Sequence, residues 1–109
     1  MKRPIGIDLF AGAGGMSLGF EQAGFDIAAA VEIDPIHCAT HEYNFPDAAT
    51  ICASVIDLSG DEIRRRANLG NRDIDVVFGG APYNNNNYIF HNIEITTTTV
   101  PMFVIVLLK

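Results

Sequence analysis

The chain has 109 residues and a formal charge of −6, with 13 acidic side chains against 7 basic ones; it is one domain at most, and a poor electrostatic match for a polyanion. Its longest apolar run, Met102 to Leu108, falls far short of the ~20 residues of a membrane-spanning helix. The basic opening Met1-Lys2-Arg3-Pro4 is followed by Asp8 and glycines, which break the pattern of a secretion signal, and Cys38 and Cys52 are the only thiols, so a reducing, cytoplasmic compartment without membrane contact is expected.

Ile5 to Phe10 reads as a strand covered on both faces. The glycines of Gly12-Ala13-Gly14-Gly15 then make a tight turn into a helix from about Gly15 to Ala23. Met16, Phe20 and Ala23 form its predicted inner stripe, and Gly24 its stop. Phe25 to Ile33 gives the second strand, apolar from Ile27 to Val31. Asp34-Pro35 starts the second helix as cap and first residue, with Ile36, Ala39 and Tyr43 as the predicted inner stripe and Phe45-Pro46 as the end. His37 and His41 lie four apart beside Cys38 and Glu42. No second ligand pair follows at a recognisable spacing, so they read as a polar helix face and no metal is expected.

Ala48 to Ala53 makes a short third strand. Ser59-Gly60-Asp61-Glu62 is a capping box for a third helix, with Ile63 and Ala67 inward, Arg64, Arg65 and Arg66 on a solvated face, and Gly70 at its close. Asp73 to Gly80 is a fourth strand ending in a glycine turn. Three strand–helix units and a fourth strand predict an α/β fold, a partial doubly wound parallel sheet with right-handed crossovers, over residues 1–82.

The chemistry concentrates in Asp8-Leu9-Phe10-Ala11-Gly12-Ala13-Gly14-Gly15. Glycines 12, 14 and 15 let a ligand lie against bare backbone, and the helix start beyond them offers unpaired N–H groups. The dinucleotide fingerprint Gly-x-Gly-x-x-Gly fits only in part, since Ser17 stands where its third glycine belongs. Asp8 at the strand end argues against a pyrophosphate there and suits a cofactor with an amine and a sulfonium. Glu32, twenty positions after Gly12, ends the second strand beside the first turn. A carboxylate there accepts both hydroxyls of a ribose, in either class of nucleoside cofactor.

The spacing Asp-x-Phe-x-Gly-x-Gly-Gly, met here at Asp8, Phe10, Gly12, Gly14 and Gly15 and running on to Met16-Ser17-Leu18-Gly19-Phe20, resembles the first motif of the cytosine-5 DNA methyltransferases. The run Glu32-Ile33-Asp34-Pro35 through His41-Glu42-Tyr43-Asn44-Phe45-Pro46 resembles their second. The resemblance implies a Rossmann-like methyltransferase domain that binds S-adenosylmethionine and, in the parent family, acts on DNA. It implies that Phe10, Ala11 and Gly12 line the methionine end and that Glu32 grips the ribose. Ile33, Ser54 and Val55 hold the adenine, with Ser54 standing where the family usually has an aspartate and Asp57 as the alternative acceptor, and Pro82 marks the edge of the active site.

In that family the fourth strand runs into a Pro-Cys pair whose thiolate attacks the target base. Here Gly79-Gly80-Ala81-Pro82 is followed by Tyr83, a phenol with a pKa near ~10 and no replacement for a thiolate. Beyond Pro82 the resemblance ends, in four asparagines, four threonines and an apolar close. Residues 83–109 read as a divergent tail, with Asn92 to Thr98 expected as an added edge strand and Met102 to Leu108 expected against the exposed sheet face. The expectation is thus an N-terminal methyltransferase fragment with part of the cofactor site and no catalytic residue, on which DNA binding is not expected. The rival readings are a dinucleotide-binding oxidoreductase fragment and a noncatalytic partner of an intact methyltransferase.

Overall fold

The computed structural model describes residues 2–82, 87–90, 93–96 and 102–108. β1 (Ile5–Leu9), β2 (Asp26–Glu32), β3 (Ala49–Cys52) and β4 (Val76–Pro82) pair in parallel in the order β3-β2-β1-β4. α1 (Gly15–Gln22), α2 (Pro35–Asn44) and α3 (Gly60–Arg66) connect them, with a 3-10 turn at Val55–Asp57 before α3. This is the expected α/β doubly wound arrangement, and the fourth strand lies beside the first. Right-handed crossovers explain the layering. The chain steps outward from β1 to β2 to β3, which puts α1 and α2 on one face. It then returns across the sheet to β4, which puts α3 on the other.

Each face has its own core. Ile5, Ile7, Leu9, Val31 and Ile51 pack with Leu69, and Ile63 of α3 and Ala67 at its C-terminal cap close over them as the sequence predicts. On the opposite face Val76 and Phe78 pack with Ile27, Phe45 and Ala48, under Met16 and Phe20 of α1. Phe20 stacks on Phe78 with ring centroids 3.9 Å apart, and Phe78 is fully buried. Burying such a side chain contributes about 1.5–3 kcal/mol. The capping residues work as read: Asp34 accepts from the Ile36 and His37 amides at 2.8 and 3.3 Å, and Ser59 from Glu62 N at 3.1 Å. Arg64 turns back to donate to the carbonyls of Gly70 and Arg72 at 3.3 and 2.6 Å, tying down the loop after α3.

Three expectations need correction. Ala23 is exposed, and Ser17 takes the buried place on α1. The inner face of α2 is Cys38 and His41, continued by Phe45, whereas Ile36 and Tyr43 are 75% and 87% exposed and Ala39 is exposed too. Both triplets have helical spacing, and the one holding His41 wins because α1 presents Ser17 to it. In the tail it is the later segment that takes the sheet edge. β5 (Asn87–Phe90) and β6 (Ile93–Thr96) form a separate antiparallel pair, and β7 (Met102–Leu108) lies antiparallel on the free edge of β4, from Val76↔Leu108 to Pro82↔Met102. A seven-residue run of high β-propensity takes an open parallel edge more completely than a four-residue one.

Gly79 sits where β4 crosses β1 closely: a Cβ there would run into the Leu9 backbone carbonyl. Gly79→Ala is therefore expected to destabilise the chain by about 3 kcal/mol, read from urea denaturation, because backbone cannot move aside as a side chain can.

Candidate functional site

The carboxyl ends of β1, β2, β3 and β4 open on one crevice of about 430 Å3, lined by Phe10, Gly12, Val31, Glu32, Ile33, His37, Ala53, Ser54, Val55 and Gly80. Ligands of open α/β sheets lie at this end of the strands. A second cavity, bounded by Ile5, Asp26 and Ile27, lies at the amino ends of β1 and β2.

Glu32 organises the crevice. Its Oε1 accepts from the Gly12 amide at 2.9 Å and its Oε2 from the Asp34 amide at 2.8 Å. The side chain is only 11% exposed, with the His37 ring nitrogen Nδ1 3.9 Å from Oε2. An ionised carboxylate has about four acceptor positions. Two are taken by the protein, and the others suit the paired hydroxyls of a ribose. Ile33, 68% exposed, offers an apolar wall at the rim, with Ser54 and Val55 also lining the pocket. Phe10 adopts φ 58, a conformation that bulky residues seldom take; such strain gathers at ligand sites. Among the described residues the lining carries the Glu32 carboxylate and no Lys or Arg. That electrostatic balance suits a neutral or cationic nucleoside and repels a pyrophosphate.

Of the sequence-predicted site residues, the fold brings Phe10, Gly12, Glu32, Ile33, Ser54 and Val55 together around this crevice. Ala11 is buried behind it, its amide donating to the Val31 carbonyl at 2.9 Å. Gly14 faces α2, where a Cβ would collide with the Phe45 ring and lie 3.1 Å from His41, so close helix packing explains that glycine. Gly15 is exposed at the first position of α1. Pro82 ends β4 opposite Met102, two residues beyond the lining Gly80. Tyr83 lies outside the described residues.

Asp8 is the clear correction. It is 1% exposed, and Ser17 Oγ donates to its Oδ2 at 2.5 Å. Strand alternation explains this: Ile7 and Leu9 face α3, so Asp8 faces α1 and α2 and not the open end of the sheet. That alternation was readable in Ile5-Gly6-Ile7-Asp8-Leu9. Val31, His37, Ala53 and Gly80 are lining residues that sequence reasoning missed. His37 falls in the first turn of α2, directly after the loop that Glu32 begins, and that position was the signal available in the sequence.

Burial pushes the Asp8 carboxyl up to about 6, partly offset by its hydrogen bonds from Ser17, while the nearby Glu32 charge adds to the rise. Burial lowers His41 below its ordinary 6.5, with Glu32 opposing. The Cys38 thiol is pushed up to about 12, by burial first and then by Cys52, and its Sγ donates to the Glu32 carbonyl at 3.1 Å. It is therefore no activated nucleophile. No group of three or more metal-ligating side chains occurs among the described residues, nor does any helix long and apolar enough to cross a membrane.

A 3-2-1-4 parallel sheet with a carboxylate at the second strand end and a glycine turn at the first defines a Rossmann-like, nucleoside-binding class of domain, and the likenesses to known proteins narrow it to the methyltransferases. Solved structures agree. A DNA modification methyltransferase encoded within an E. coli prophage superposes with a TM-score of 0.65 at 26% identity, over 72% of this chain and 32% of that one. DNMT2 of Spodoptera frugiperda shares the fold, with a TM-score of 0.54 at 16% identity over 72% of this chain and 35% of that one. Residues 5–85 match the C-5 cytosine-specific DNA methylase family, and the chain belongs to it.

It is similar to the type II methyltransferase M.XorII of Xanthomonas oryzae pv. oryzae, 73% identical over 82 residues, which are 75% of this chain and 19% of that protein. It is also similar to M1.HphI of Haemophilus parahaemolyticus, 49% identical over 76 residues, 70% of this chain and 20% of that protein. The chain thus spans about a fifth of the length of these curated relatives. A dinucleotide-binding oxidoreductase is not favoured by any of these likenesses.

The two buried groups act oppositely on stability. His41 binds a proton less readily folded than unfolded, so its contribution is complete above pH 6.5 and is lost as the pH falls below it. Asp8 binds a proton more readily folded, so stability from this group rises as the pH falls from about 6 toward 3.8. His41→Gln removes the first effect and keeps the second. Its melting temperature relative to the unaltered chain is expected to be higher at pH 5 than at pH 7.5, by circular dichroism.

Proposed function

We propose that this chain forms the adenosyl-binding part of the S-adenosylmethionine site of a cytosine-5 DNA methyltransferase. The observation that carries this reading is the Glu32 carboxylate, fixed between the Gly12 and Asp34 amides with acceptor positions left for a ribose. The residues present fit the cofactor: a carboxylate for the sugar, Ile33 and Val55 as apolar walls for the base, and Ser54 as hydrogen-bond partner of its edge. Phe10 and Gly12 line the end nearest the sulfonium. When bound, the cofactor supplies an electrophilic methyl group on that sulfonium. What this chain contributes is orientation: Glu32 sets the sugar's rotation, and the apolar walls exclude water from the base.

Methyl transfer to carbon 5 of cytosine in DNA, the parent activity, needs a thiolate nucleophile. Pro82 is followed here by Tyr83, and the net charge of −6 gives little attraction for DNA phosphates. Cofactor binding without methyl transfer is therefore the function proposed for these 109 residues, in a reducing cytoplasm that suits two free thiols.

Calorimetry with S-adenosylhomocysteine tests it. Binding is expected, with Glu32→Ala weakening it about tenfold or more through the lost charge-assisted bonds, and with no heat from reduced nicotinamide dinucleotide. Equal binding by Glu32→Ala, or a preference for the dinucleotide, refutes the reading. Tritium transfer from labelled cofactor to DNA is expected to stay at background.

A further inference from the structure

The buried polar groups that the proposed crevice leaves unused converge beneath the glycine turn. Asp8 of β1, Ser17 of α1 and His41 of α2 are each 1% exposed or less. Ser17 Oγ lies 2.5 Å from Asp8 Oδ2 and 3.0 Å from His41 Nε2. Elementary donor counting orders the protons. An ionised carboxylate only accepts, so the Ser17 hydroxyl proton points to Asp8. Oγ is then left to accept from His41, which puts the ring proton on Nε2. His41 Nδ1 has no hydrogen-bond partner among the described residues, which fits a bare ring nitrogen; an imidazolium would bury a second N–H with nothing to receive it. The ring is held by stacking on Phe45, with centroids 4.6 Å apart.

α1 needs such an anchor. It has eight residues, two of them glycine, its cap residue Gly14 supplies no side-chain bond, and short helices of this composition do not persist unaided. Gly14 rests directly on His41 and Phe45, so whatever fixes His41 also fixes the turn above it. The turn in turn presents the Gly12 amide to Glu32.

We propose that Asp8, Ser17 and His41 are positioning residues, a one-directional hydrogen-bond relay that clamps the Phe10–Gly15 turn against α2 and so holds Gly12 on Glu32. The relay's effect on a ligand rests on the reading of the crevice as a cofactor site; the clamp itself does not. Glu32 is the charged neighbour of both ends, acting on Asp8 and on His41. Asp8 Oδ1 also lacks a partner among the described residues, so the carboxylate is held by Ser17 alone, through its hydroxyl and its backbone amide.

The full 109-residue chain tests the relay in two ways. Nitrogen-15 NMR of histidine is expected to show His41 neutral, with its proton on Nε2. In Ser17→Ala, the Gly12 and Gly14 amides are expected to exchange with solvent about tenfold faster, while Ala30 and Ile51 in the sheet keep their rates. S-adenosylhomocysteine affinity is expected to fall by about the same factor. His41→Gln retains an amide N–H donor and is expected to hold both readouts within about threefold, whereas His41→Leu behaves like Ser17→Ala. A His41 proton on Nδ1, or unchanged turn exchange in Ser17→Ala, overturns the relay. Should Ser17→Ala fail to fold, the tautomer in the unaltered chain and the two His41 variants decide. Expected tautomer and exchange results without any S-adenosylhomocysteine binding would uphold the relay and remove the cofactor reading.

Discussion

One carboxylate holds the open end of this sheet together. Glu32 accepts from the Gly12 amide, which belongs to the turn after β1, and from the Asp34 amide, which belongs to the start of α2. Asp34 in its turn caps α2 through the Ile36 and His37 amides. Two loops and a helix start are thus set by charge-assisted bonds to a single side chain, of the kind that is short, directional and costly to leave unmade when water is scarce. Parallel pairing makes the meeting possible: Leu9 registers with Val31, so the residues just beyond them emerge at the same level.

Beneath that turn a second set of polar contacts operates where no solvent reaches. Burying a carboxylate, a hydroxyl and an imidazole together is favourable only if each finds a partner, and Ser17 serves both others at once. This explains why α2 shows His41 to the core and Ile36 to water, against the order of hydrophobicity. A helix rotates to satisfy the group that cannot be left unpaired, and an exposed isoleucine is the smaller loss.

The edge of β4 shows how the remainder of the chain is accommodated. Doubly wound sheets continue past the fourth strand in parallel, and here β7 closes the edge antiparallel instead, over the whole length of β4. Backbone groups that would otherwise stand open are paired, and the first four strands keep the register that aligns their carboxyl ends. The strand that β7 covers, β4, also lends Gly80 to the crevice.

The sequence alone determined the order of the first four strands and three helices, the caps at Asp34 and Ser59, the glycine turn, the acid at Glu32 and the family to which these belong, because each is written in local spacing: period-2 and helical patterns, cap chemistry, and a fixed interval between strand ends. It also held, unread, the placement of Asp8, since alternation with Ile7 and Leu9 sends that side chain under the helices. Tertiary structure alone decided which of two equally spaced stripes of α2 faces inward, which tail segment takes the edge of β4, and that His37 and Gly80 join the crevice. Those outcomes depend on partners distant in the chain. No periodicity within α2 reports that Ser17 awaits His41, and no propensity within the tail reports which strand edge is open.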